Sequence, residues 1–258
     1  MSLFDTHAHL DQEEFNDDRE AMLAHAREAG VSTIVTVGVT AESSAAVVAL
    51  AQQHAGLLAA VGIQPNYTAQ TQLDDWQRIV ELAGQPKVVA IGETGLDRHW
   101  DYAPFDVQQD YFDRHLRLAQ ERELPFIVHT RESDADVLAM LREARLRGPL
   151  RGVMHSFTGT AETAAECVEL GLHVSFAGMV TFKKSDALRA VAVTIPADRI
   201  LIETDSPYLS PHPLRGKRNE PAHLVHTATC LASARGQTVE GFSAQTTANA
   251  QSLFRLKS

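Results

Sequence analysis

Leu3-Phe4-Asp5-Thr6-His7-Ala8-His9-Leu10 is an apolar run that ends in two histidines one residue apart. In a β-strand, residues i and i+2 project to the same face. His7 and His9 therefore stand side by side at the C-terminal end of a strand over Leu3 to His7. Neutral imidazole is a good ligand for divalent transition metals, and two converging rings make half a metal site. The spacing alone is a weak signal, because a near pair is common among twelve histidines. The rest of the chain strengthens it by repeating the same unit, an apolar strand that ends in a ligand-type residue.

Seven further short runs read as buried parallel strands: Ser32 to Gly38, Leu57 to Ile63, Lys87 to Gly92, Leu124 to His129, Leu150 to His155, Leu172 to Phe176 and Arg199 to Glu203. Runs that are apolar on both faces suit a sheet covered by helices. Between them lie stretches with apolar residues at three- and four-residue spacing: Asp17–Ala29, Ala41–His54, Leu73–Ala83, Phe105–Arg122, Ser133–Arg147, Thr160–Leu170, Ser185–Val193 and Glu220–Ala234. Gly30, Gly84, Gly148 and Gly171 fall where helix C-terminal caps belong. A βα unit repeated about eight times in 258 residues predicts a (β/α)8 TIM barrel, with a doubly wound open sheet as the competitor. Thr238 to Leu256 reads as an extra C-terminal helical segment packed on the barrel. The barrel is favoured because ring closure gathers the strand ends, whereas an open sheet spreads them across its width. No linker or composition shift divides the chain, so a single domain over residues 1–258 is expected.

Composition is that of an ordinary globular protein, 44% hydrophobic and 22% charged. The formal net charge of −10 argues against a general nucleic-acid coating protein, which would be basic. It leaves room for an enzyme that meets phosphates locally. Only Cys167 and Cys230 are present, too few for a disulfide scaffold. No secretory leader pattern opens the chain, and no run reaches the length of a membrane span. A soluble, cytoplasmic protein is expected, as a monomer.

The remaining strand ends supply more ligand types. Glu93, in Ile91-Gly92-Glu93-Thr94-Gly95-Leu96-Asp97, can bridge two cations with its two oxygens, or be a plain surface carboxylate. Gly92 and Gly95 beside it suggest close backbone approach, and Asp97 is placed to hold a histidine or a loop. His129 and His155 leave successive apolar strands at the same structural position. A single histidine there is more often a hydrogen-bonded core residue, but a matched pair is harder to explain that way. Ser156 and Thr158 precede a helix, where hydroxyls hold a phosphate oxygen or cap the helix. Asp205, in Ile202-Glu203-Thr204-Asp205-Ser206-Pro207, is the candidate metal ligand and proton acceptor, preferred over Glu203 on the same face. Arg215, Lys217 and Arg218 form a local basic loop suited to phosphate.

Taken together, the segments Asp5–Leu10, Ile91–Asp97, His129–Arg131, His155–Gly159, Glu203–Leu209 and Arg215–Pro221 resemble the TatD family of metal-dependent deoxyribonucleases, within the amidohydrolase superfamily. The likeness runs in order over nearly the whole chain. It implies a distorted TIM barrel holding one or two divalent cations. It implies His7, His9, Glu93 and Asp205 around a first metal, and His129 and His155 with a bridging Glu93 around a second. It further implies cleavage of DNA phosphodiester bonds, on single strands or ends, with Mg²⁺ or a similar ion. The family pattern Gly-x-His-Pro is replaced by Gly62-Ile63-Gln64-Pro65, and the resemblance places Gln64 near the substrate phosphate. Glutamine donates a neutral hydrogen bond but carries no proton or charge.

The leading expectation is phosphodiester hydrolysis by a water that cations make acidic, with Asp205 and Glu93 as the catalytic pair. Hydrolysis of an ester or amide, such as an aminoacyl ester on tRNA, is the alternative, because the barrel hosts many chemistries. A non-catalytic metal-containing nucleic-acid-binding protein is the third. Four imidazoles favour Zn²⁺ or Mn²⁺, while the resemblance favours Mg²⁺.

Overall fold

The computed structural model describes residues 2–256. Eight parallel strands form one sheet in strict sequence order. They are β1 (Leu3–Ala8), β2 (Val31–Val37), β3 (Leu57–Val61), β4 (Val88–Asp97), β5 (Phe126–Arg131), β6 (Gly152–Met154), β7 (Leu172–Phe176) and β8 (Ile200–Ile202). Helices follow the strands: α1 (Arg19–Glu28), α2 (Ala41–Gln53), α3 (Asp75–Leu82), α4 (Phe105–Arg122), α5 (Asp134–Arg147), α6 (Ala161–Glu169), α7 (Asp186–Thr194) and α8 (Leu224–Ala234). Ala8 bridges Ser206 just beyond β8, so the last strand returns to the first. The fold is a (β/α)8 barrel.

By internal contacts the chain divides into two compact units. One comprises Met1–Thr36, His155–Ala165 and Val174–Ser258. Within it β1 pairs with β2 and β7 with β8, and Thr6 of β1 donates its hydroxyl to the Ile202 carbonyl of β8 at 3.0 Å. Every residue of β1 is buried, as both faces of a covered parallel sheet require. The C-terminal helix α9 (Val239–Leu253) packs on β1 and β8, and Phe254 just beyond it stacks on Phe4 with ring centroids 5.8 Å apart. That is the extra helical segment the sequence predicts.

The other unit comprises Val37–Met154 and Glu166–His173. Within it β3, β4, β5 and β6 pair in parallel. The helix α2 opens with a reciprocal cap between Thr40 and Ser43. Sequence periodicity ends the fourth strand at Gly92, but β4 runs on to Asp97, with Gly95 opposite His129 and Asp97 opposite Arg131. Gly95 makes this possible. Its φ is +130°, and a methyl group there would run into the His129 carbonyl oxygen. Conversely β6 and β8 stop early, at Met154 and Ile202, so His155 and Glu203 lie just past their strands.

Candidate metal centre

In the first unit, strand alternation brings the two N-terminal histidines together as predicted. His7 Nε2 lies 3.1 Å from His9 Nε2. Asp205 Oδ1 lies 3.4 Å from His9 Nε2 and 3.7 Å from His7 Nε2. Each of the three residues is at least nine-tenths buried. Donor atoms bound to one ion at ligand distances near 2.1 Å are themselves about 3–3.5 Å apart. These three donor atoms are therefore spaced as ligands of one cation are. Burial pushes the Asp205 carboxyl up, but the hydrogen bond from His9 and the charges of His7, His9 and His155 outweigh it and hold the group below its ordinary value.

Asp5 supports this group from beneath. Its Oδ1 accepts the backbone N–H of Thr204 at 2.9 Å and of His7 at 3.3 Å, and Oδ2 accepts the Thr204 hydroxyl at 2.5 Å. One carboxyl thus fastens the residue beside Asp205 to the strand that carries His7. Burial raises Asp5 to about 7, against the lowering effect of the Thr204 bonds. Asn219, fully buried, donates to the carbonyls of Thr204 and Tyr208 at 2.9 and 2.6 Å and fixes the chain on both sides of Asp205.

His155 belongs to the same unit. Its ring stacks on that of His7, with centroids 4.1 Å apart and planes 12° apart. Its Nδ1 donates to Glu203 Oε1 at 3.2 Å, and the Ser156 N–H donates to the same oxygen at 2.6 Å. Glu203, considered for a metal, instead grips the histidine. A carboxylate on one ring nitrogen fixes the orientation of the ring.

The second unit holds a parallel arrangement. His129 Nε2 donates to Asp97 Oδ2 at 3.0 Å, and His129 Nδ1 faces Glu93 Oε1 at 3.0 Å. His129 Nδ1 and Glu93 Oε1 thus stand at ion-pair distance, and both are donor types that a divalent cation takes. Asp97 also accepts from Asn66 Nδ2 at 3.0 Å and from the backbone N–H groups of His99 and Trp100 at 2.8 and 3.1 Å. Burial opposes its ionisation, but these bonds, led by His129 and Asn66, win and hold it at about 2. Gln64 Oε1 accepts the Asn66 N–H at 2.8 Å, so its carbonyl end caps the turn Pro65–Gln70. His115, given no role by the sequence, accepts the Ile63 N–H at Nε2 and donates from Nδ1 to the Tyr111 carbonyl; burial presses its imidazole down to about 4.

The residues expected at substrate divide. Arg215 and Lys217 are exposed, and Arg215 lies over the Phe182 ring at 4.2 Å. Arg218 is engaged elsewhere: it forms a two-point ion pair with Asp18 at 2.8 and 2.6 Å and also donates to the Glu14 carbonyl. Thr158 is exposed and Ser156 part-buried, the latter with its N–H already given to Glu203.

The family of TatD-related DNases matches residues 4–255. This chain belongs to the TatD family. YabD of Bacillus subtilis, described as an uncharacterized metal-dependent hydrolase, is 41% identical over 98% of this chain and 99% of its own. The 3′-5′ ssDNA/RNA exonuclease TatD of Citrobacter koseri is 37% identical over 98% of each chain. Among solved structures, the TatD homologue YjjV of Escherichia coli superposes with a TM-score of 0.93, at 30% identity, covering 99% of this chain and 98% of that one.

The TatD-family chain is accordingly a metal-dependent hydrolase. Within the first unit the donor set suits a divalent cation: the buried His7, His9 and Asp205 converge, and Glu203 holds the His155 ring. Sequence reasoning assigned no role to Asp5, Asn66 or Asn219. Asp5 and Asn219 stand inside the quoted motifs, so a polar residue buried in a motif was the available signal. Nothing in the sequence pairs Glu203 with His155.

Proposed function

We propose that this protein is a divalent-cation-dependent phosphodiesterase that shortens single-stranded nucleic acid from an end. The observation that carries this reading is the convergence of His7 Nε2, His9 Nε2 and Asp205 Oδ1 at the spacing of ligands to one cation. In this reading Glu93 is a further cation ligand, beside His129. The name of the Citrobacter koseri relative, a 3′-5′ ssDNA/RNA exonuclease, supports the substrate class. Bound divalent cations supply the charge that polarises a phosphoryl oxygen and makes water acidic. Asp205 accepts the proton of the attacking water. A carboxylate is a weak base, so it suits an acidified water better than an ordinary one. Glu203 and Asp97 keep His155 and His129 from rotating. Arg215, Lys217, Ser156 and Thr158 are offered to the phosphate backbone, and Arg218 braces the loop through Asp18. The imidazole-rich set favours Zn²⁺ or Mn²⁺ over Mg²⁺. Two free cysteines suit a reducing, cytoplasmic setting, and no helix among the described residues is long and apolar enough to cross a membrane.

The test is a chelator-stripped protein re-supplied with Mg²⁺, Mn²⁺ or Zn²⁺ and offered single-stranded DNA, RNA and an acyl ester. Cleavage of the nucleic acids should return with metal, and Glu93→Ala or Asp205→Ala should lower it by about 10³-fold or more with the circular dichroism unchanged. Full activity in both variants, or turnover of the ester alone, overturns the proposal.

A further inference from the structure

The loop that leaves β4 exposes an aromatic stack. Trp100 and Tyr102 are 43% and 57% exposed, and their rings stack with centroids 5.3 Å apart and planes 13° apart. The Arg131 guanidinium carbon lies 5.4 Å from the centre of the Trp100 ring, within cation–π range. The His99 ring meets Trp100 edge-on at 4.8 Å. Two large rings stacked on each other and left in water present aromatic surface that a flat apolar group can cover.

This stack is tied to the proposed metal ligands by a single side chain. Asp97 Oδ1 accepts the backbone N–H groups of His99 and Trp100, while Asp97 Oδ2 accepts from His129. His129 in turn faces Glu93 at 3.0 Å. The carboxylate that sets the His129 ring therefore also sets the backbone from which Trp100 projects. An aromatic pair held in register with a cation ligand is suited to a substrate that has both a flat π-face and an anionic link.

We infer that Trp100 and Tyr102 form a stacking platform for an unpaired nucleobase of the strand being cleaved, with Arg131 supplying positive charge beside it. This rests on the phosphodiesterase reading for its substrate class. Unpaired bases offer free faces to aromatic side chains, and such stacking tolerates any sequence because every base has a π-face. Paired bases are already stacked on their neighbours, so the platform selects single strands. It supplies affinity that an acidic chain cannot draw from net charge, which is −10.

The chain has two tryptophans, Trp76 and Trp100, so Trp76→Phe leaves Trp100 as the sole indole reporter. The probes are an eight-nucleotide oligo(dT) and an abasic strand of equal length, added to metal-free full-length protein. Oligo(dT) should quench Trp100 emission, and the abasic strand should bind about ten-fold more weakly without quenching. Tyr102→Ala should weaken oligo(dT) binding about ten-fold and Tyr102→Phe should restore it. In the metal-restored enzyme, Tyr102→Ala should raise KM for oligo(dT) by a similar factor with kcat nearly unchanged. Equal affinity for the abasic strand, or no effect of Tyr102→Ala on quenching and KM, overturns the platform while leaving the hydrolytic reading intact. Quenching without cleavage under any metal supports the platform and defeats the phosphodiesterase reading. Neither binding nor cleavage defeats both.

Discussion

His155 and His129 leave neighbouring strands in sequence, and each is gripped by a buried carboxylate, yet the two grips are built differently. Glu203 comes from the end of β8 and holds its histidine with one further donor, the Ser156 N–H. Asp97 comes from the same strand as Glu93 and gathers donors from His129, Asn66, His99 and Trp100. The first carboxylate serves one ring. The second is a junction between that ring, the Gln64–Asn66 turn and the aromatic loop. A donor-rich carboxylate stays ionised easily, which is why Asp97 sits at about 2 despite its burial.

The largest way to break this contrast is to neutralise each carboxylate. Glu203→Gln and Asp97→Asn should each weaken metal affinity by about 10–100-fold in a competition titration. Only Asp97→Asn should also weaken oligonucleotide binding to the metal-free protein. Identical profiles would erase the difference.

A third histidine sharpens the comparison because its partners are neutral. His115 is held by the Ile63 amide and the Tyr111 carbonyl, with no carboxylate on either ring nitrogen. Its folded value, about 4, lies below the unfolded one near 6.5, so the folded state keeps it neutral. Its contribution is complete above about pH 6.5 and is lost as pH falls towards 4, on the order of 3 kcal/mol over that window. In denaturant unfolding, His115→Phe should be less stable than the parent at pH 7, and the gap should narrow steadily down to pH 4.5. A constant gap would show that the ring does not titrate this way.

A smaller effect is expected at the far end of the Asp97 junction. Gln64→His removes the carbonyl that caps Asn66, whose amide holds Asp97. A change of about 1 kcal/mol, several-fold in kcat/KM, should appear on single-stranded DNA, with metal binding retained. Unchanged rate and substrate preference would disconnect Gln64 from the site. The smallest effect belongs to Arg218→Ala. Its part-exposed pair with Asp18 is screened by water, so its loss should barely move the unfolding midpoint and should leave KM for oligonucleotide unaltered. A rise in KM matching that of Arg215→Ala or Lys217→Ala would return Arg218 to the substrate.

Much of this was legible in the chain because the signals are local. Apolar runs and helical spacing locate the elements to within a few residues, and i, i+2 alternation alone places His7 beside His9. The misreadings come where contacts decide. The strand through Glu93 looks finished at Gly92, since glycine and polar residues break the pattern, but Gly95 lets β4 and β5 stay in register to Asp97. The basic loop reads as a local patch, and only the fold shows that Arg218 meets Asp18, 200 residues earlier.

By itself the sequence determined the repeating βα units, the ligand types at the strand ends and the family. The tertiary structure decided which carboxylate holds which histidine, which arginine is already paired and which aromatic rings are left in water. The reason is that periodicity and motif order are properties of neighbouring residues. A buried hydrogen bond depends on which distant group the fold delivers to within about 3 Å.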